Sequence, residues 1–181
     1  MRPNEVKWAR IGPTSRKWFQ HVPKAGMCLS AFLVVRDPAG GILFGRPRRH
    51  RAWPEKGCMP YWRLDDLIRS GAWVLPASHL MMEESPDHAA SRIARDWAGL
   101  ISAKPRLVSV DSSTFPGGGW EGRGPTRHRV RHWAIGFVYE AEAVRLPPEA
   151  PWWQEMKFVR REDLRKLPIG RAHRDLLAYL R

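Results

Sequence analysis

The side chains of this sequence that could do chemistry stand closest together between Gly71 and Leu100, in GAWVLPASHLMMEESPDHAASRIARDWAGL. Glu83 and Glu84 come just before a helix start, Arg92 and Asp96 follow inside that helix, and His79 precedes them. Carboxylates can take a proton from water or offer hard oxygens to a divalent cation. Glu84 has an equally concrete structural role, because a carboxylate at a helix N-terminus accepts backbone amides and interacts favourably with the dipole. Arg92 can hold that loop carboxylate in place. His79 can contact a phosphate, but as a lone histidine it also suits a local hydrogen bond. No second His or Cys at ligand spacing supports a zinc site. Ile93 and Trp97 stand one turn apart on the same helix and can touch.

The helix itself is well marked. Ser85 suits the N-cap, Pro86 the first helical position, and Asp87 puts a negative charge in the first turn. Ala90, Ile93, Ala94 and Trp97 form one apolar stripe, and Gly99 is placed to end the helix just past Ala98. Ahead of it, Trp73-Val74-Leu75 reads as a short strand stopped by Pro76, which cannot donate to a ladder.

This spacing resembles the Nudix box, which runs Gly, five residues, Glu, seven residues, then Arg-Glu-apolar-x-Glu-Glu-x-Gly-apolar. Ser78 takes the opening glycine, Glu84 the first glutamate, Arg92 the arginine, Ala94 the apolar slot, and Gly99-Leu100 the close. The resemblance covers nearly all of the chain after residue ~28 and implies an α/β fold, the Nudix α/β/α sandwich with a mixed sheet between helices. It also implies water attack on a nucleoside diphosphate derivative, with Mg or Mn neutralising the diphosphate and a carboxylate taking the proton. Glu84, Asp96 and Arg92 then become the catalytic candidates, and Glu83, Glu84 and Asp96 the remaining metal candidates. Glu155 is a possible base from a later loop. The departures are specific. The two places whose carboxylates hold the cation in active members are Ile93 and Trp97, which offer no oxygen. Ala77, Ser78 and Glu83 stand where the family has glycines.

Other elements must position this helix. Leu29–Arg36 is a strand, Asp37-Pro38-Ala39-Gly40-Gly41 a turn, and Ile42–Arg46 its hairpin partner. Residues 47–71 read as an insertion before the box, with a helical period over Arg63–Arg69. Arg106–Phe115 is a strand, the glycine-rich stretch 116–125 a loop, and Trp133–Ala143 the longest and central strand. Met156–Arg160 is a short strand, Glu162–Pro168 a turn of helix, and Ala172–Leu180 a closing helix. Residues 1–27, with Trp8, Trp18 and Phe19 among bases and prolines, read as an arm packed on a domain spanning 28–181.

Arginine dominates the charge. The chain has 31 Lys and Arg against 18 acids, a net charge of +13, and 24 of the bases are arginine. Such a surface attracts polyanions, so a nucleotide or nucleoside diphosphate derivative and RNA are candidate partners. A GC-rich genome gives the same arginine-rich composition. The run RPRRHR beside Trp53 can grip a nucleotide by charge and stacking, or Trp53 can be a packing anchor. His79, Arg46, Trp53 and Arg129 are thus the substrate-binding candidates. No apolar run reaches the ~18 residues of a membrane span. The N-terminus lacks a signal-peptide core, and two cysteines give no disulfide framework, so a cytoplasmic location is expected. The reading that accounts for both charge and ligand loss is a Nudix-like domain that binds a nucleotide or other phosphate-rich ligand, its pyrophosphohydrolase activity weakened or lost. An active hydrolase with an altered metal site and a protein-interaction scaffold are the alternatives.

Overall fold

Alternation along MCLSAFLVVR sends Ala31, Leu33 and Val35 to one face of a strand and Phe32 and Val34 to the other. Both faces are apolar, so this strand, β1 (Met27–Arg36), is buried on both sides and organises the sheet. The computed structural model describes residues 27–55, 59, 61–81, 83–115, 132–145, 150–170, 173 and 176. The expected arm up to residue 26, the glycine-rich loop, Arg129 and most of the closing helix lie outside them.

After β1 come β2 (Ile42–Pro47), a helical turn α1 (Ala52–Glu55), α2 (Tyr61–Arg69), β3 (Ala77–His79), α3 (Pro86–Asp96), β4 (Arg106–Phe115), β5 (His132–Glu142) and β6 (Trp153–Val159). A 3-10 helix, Arg161–Lys166, follows. The sheet runs β4-β5-β1-β2-β6, with β3 also on β1. β1 and β5 are parallel from Met27↔Trp133 to Arg36↔Glu142, and the other pairs are antiparallel, so the sheet is mixed. β5 is the longest strand, but the centre belongs to β1, because β4 lies outside β5.

The β1–β2 turn is closed by Asp37, whose carboxylate accepts the Gly41 N–H at 2.6 Å. Beyond Arg36↔Ile42 the two strands separate, and residues 73–79 fill the wedge between them. Val74 exchanges two 2.9 Å bonds with Gly45, and the Pro76 carbonyl accepts from Leu33 at 2.9 Å. The strand expected at 73–75 is therefore a pair of isolated bridges, and the strand proper, β3, lies past Pro76. The proline supplies an acceptor but no donor, so the ladder changes partner there from β2 to β1.

Two apolar layers sandwich the sheet. One joins Leu33, Val35, Leu43 and Tyr139 to Trp53 of α1, Leu64 and Leu67 of α2, and Ala90, Ile93 and Ala94 of α3. The other joins Val34, Phe44 and Val138 to Leu164, Ile169 and Leu176. The insertion is thus part of the core, and α2 starts at Tyr61, two residues before the periodicity suggests. No helix among the described residues is long and apolar enough to cross a membrane.

Candidate functional site

Helix α3 forms as its sequence requires. Ser85 Oγ accepts the His88 N–H at 3.2 Å, and Pro86 occupies the first turn without wasting a donor. At the other end Gly99 takes φ +66, open to glycine at no steric cost, and the Leu100 N–H reaches the Ala94 carbonyl at 2.8 Å. Regular helix stops at Asp96, with Trp97 as its cap.

Arg92 points from this helix into the preceding loop and is only 8% exposed. Its Nε and Nη2 each donate at 2.7 Å to the two oxygens of Glu84, a bidentate fork. Nη2 also donates to the His79 carbonyl at 2.9 Å, and Nη1 to Ser78 Oγ at 3.4 Å. Glu84 Oε2 accepts the Met81 N–H at 2.8 Å. The two residues close the loop onto the helix. Glu83, just before Glu84, is exposed and held at φ +63, the only non-glycine residue in that region among those described.

The metal candidates do not assemble. Glu84 directs both oxygens at Arg92, Glu83 faces solvent, and Asp96 accepts Arg95 Nε at 2.7 Å. Ile93 and Trp97 are 0% and 1% exposed and carry no ligand oxygen. Among the described residues no group of three or more His, Cys, Asp or Glu side chains is placed to hold a metal ion. The donor set expected from Glu83, Glu84 and Asp96 does not fit Mg or Mn, which need several converging oxygens.

Indole rings occupy the helix end instead. Trp97 stacks on Trp53 at 4.5 Å and 27°, and meets Trp152 and Trp153 edge-on at 5.7 and 6.3 Å. Trp153 Nε1 donates to the Trp97 carbonyl at 2.8 Å, and Trp53 Nε1 to the Arg48 carbonyl at 2.8 Å. Among the described residues, Trp97 Nε1 has no acceptor. Trp53, expected to stack on a base, has its faces engaged inside this cluster. The packing-anchor alternative describes its position.

The remaining candidates are dispersed. Arg46 lies on the opposite sheet face, 3.8 Å from Glu155 and 5.8 Å from the centre of the Trp73 ring. Glu155 is therefore across the sheet from α3 and cannot serve as a base beside it. His79 is half-buried in β3 and takes part through its carbonyl. Arg48, Arg49 and Arg51, beside Arg46 in sequence, are exposed. Their turn is fixed by the Arg48 N–H to the Trp152 carbonyl at 2.8 Å and the Ala52 N–H to His50 Nδ1 at 3.1 Å.

Two buried groups escape the sequence reading. The Tyr139 hydroxyl, on β5, donates to Asp87 in the first turn of α3, and burial with that bond pushes its pKa up. His173 Nδ1 accepts the Leu75 N–H at 3.2 Å, and burial, with Arg63 nearby, lowers its pKa to about 3. Neither has a local signal, because the partners are brought together only by the sheet.

No protein-family model matches the sequence, and no curated protein does. Solved structures do. A MutT protein from Methanosarcina mazei Go1 aligns at TM-score 0.59 and 16% identity, over 87% of this chain and 95% of its own. The NUDIX domain of Shewanella oneidensis NrtR, complexed with ADP ribose, aligns at 0.57 and 15%, over 88% and 91%. A C. elegans Ap4A hydrolase aligns at 0.52 and 14%, over 84% and 92%. The fold is that of the Nudix hydrolases, a mixed sheet between helical layers.

Proposed function

We propose that this chain is a Nudix-like binding domain, in which metal-dependent pyrophosphate cleavage has been replaced by recognition of a nucleotide or other phosphate-rich ligand. The observation that carries this reading is Trp97, buried among three other indoles at a position where the Nudix box has a carboxylate. Glu84 and Arg92 then serve as a clamp that holds the loop.

Phosphate is met by the turn at 48–51. Its exposed arginines offer planar donors, and its backbone is anchored to Trp152 and Trp53, so little order is lost on binding. The apolar cluster beneath supplies rigidity rather than a stacking surface. RNA is a less favoured ligand on this reading, since Trp53 offers it no open ring face.

ADP-ribose and diadenosine tetraphosphate are suitable probes, chosen from the neighbours' ligands and activities. The domain should bind at least one of them by calorimetry equally well in EDTA and in manganese, without phosphate release. Binding should weaken steeply with added salt. Manganese-dependent turnover abolished by Glu84→Gln would instead support the active hydrolase with an altered metal site.

A further inference from the structure

Helix α2 carries an aromatic ring that the core does not take. Leu64 and Leu67 enter the apolar layer, whereas Tyr61, the first residue of the helix, is 39% exposed. Trp53, Trp97 and Trp153 are all buried. A ring left in water beside a basic turn can hold a nucleobase, because every base has a face to stack.

The ring is backed by an arginine of the turn at 48–51. The Arg49 guanidinium lies 4.9 Å from the centre of the Tyr61 ring, and its Nε stands 3.2 Å from Asp65 Oδ1. Tyr61 and Asp65 are four residues apart on α2, so they share a face and one arginine reaches both. The guanidinium gives the ring a cation and a flat surface on one side. The ion pair also divides the work within the turn. Asp65 offsets the charge of Arg49, which makes Arg49 the weaker phosphate contact and leaves that task to Arg48. Arg48 is exposed, and its backbone N–H is anchored to the Trp152 carbonyl at 2.8 Å.

Resting on the binding function stated above, we propose that Tyr61 seats a nucleobase, so that the ligand of the 48–51 turn is a nucleotide and not a bare phosphate compound. The base stacks on the side of the ring away from Arg49, giving a guanidinium, ring and base in one pile. Asp65 fixes Arg49, and Arg48 meets the phosphate. Adjacent residues stand about 3.8 Å apart along the chain, so the seat and the phosphate contact fall within the reach of one nucleotide. A purine fits better than a pyrimidine, because its face is larger.

Calorimetry on the full chain tests the seat, with ADP as one probe and pyrophosphate, which has no base, as the other. ADP should bind roughly tenfold more tightly than pyrophosphate. Tyr61→Ala should remove that advantage and leave pyrophosphate affinity unchanged, with the same far-UV spectrum as the wild type. Tyr61→Phe keeps the ring and should preserve the advantage. Asp65→Asn should tighten pyrophosphate binding by about threefold, because the charge of Arg49 is no longer offset. Equal affinity of the wild-type chain for the two probes would overturn the seat and leave phosphate binding standing. Undiminished ADP affinity in Tyr61→Ala would overturn the seat as well. Binding of neither probe would overturn both the seat and the function on which it rests.

Discussion

Glu84, which the sequence resemblance aligns with the first glutamate of the Nudix box, has the geometry of a clamp. Both oxygens are spent on Arg92, with side chains 11% and 9% exposed. Breaking such a buried pair by removing one partner typically costs about 3–5 kcal/mol. Arg92→Met should therefore lower unfolding free energy by about that much in denaturant titrations. The residue before Glu84 gives a stability change of the opposite sign. Glu83 is held at φ +63, where an L side chain pays about 1–2 kcal/mol and glycine does not. Since glycine loses about 0.5–1 kcal/mol in chain entropy, Glu83→Gly should stabilise by roughly 0.5–1 kcal/mol. A destabilised variant in the same titration would show that the glutamate side chain holds the loop. Trp97→Glu supplies the carboxylate that the resemblance expects at this place and removes a ring from the stack. It should cost more than about 3 kcal/mol and yield no manganese-dependent turnover, because the carboxylate is left among indoles.

At the scale of elements, α3 was the most legible part of the chain. Ser85, Pro86, Asp87 and Gly99 act through bonds within a few residues, so type and spacing alone place the helix. The wedge at 73–79 was not legible, because its strand character depends on where β1 and β2 separate. The tryptophan cluster was hidden for the same reason. Trp53, Trp97, Trp152 and Trp153 come from α1, the end of α3 and the approach to β6, and no local period links them. Gly45 records how closely they pack, since a methyl group on it would lie 2.5 Å from the Trp153 ring. That ring is wedged against Trp53 and Trp97 and cannot turn aside. Gly45→Ala should thus destabilise by about 1–3 kcal/mol, with a shift in tryptophan fluorescence reporting the displaced ring.

For the molecule as a whole, charge and acid response have different origins. The +13 net charge is a surface property, screened by salt, whereas His173 lies in the second core layer with Phe32 against it at 5.5 Å. Its neutral Nδ1 accepts the Leu75 N–H, so protonation would cost both that bond and the burial of a charge. With the pKa at about 3 in the fold and the ordinary 6.5 in the unfolded chain, only the unfolded chain takes up the proton between those values. Stability is therefore flat with respect to this group above 6.5 and falls as the pH drops towards 3. The limiting slope is about 1.4 kcal/mol per pH unit, which makes the loss between pH 7 and pH 5 approach about 2 kcal/mol. Denaturant unfolding at the two pH values measures it. His173→Gln retains an acceptor for Leu75 but has no proton to gain, so its stability should change much less between them. Equal losses in the two proteins would place the acid sensitivity elsewhere in the chain.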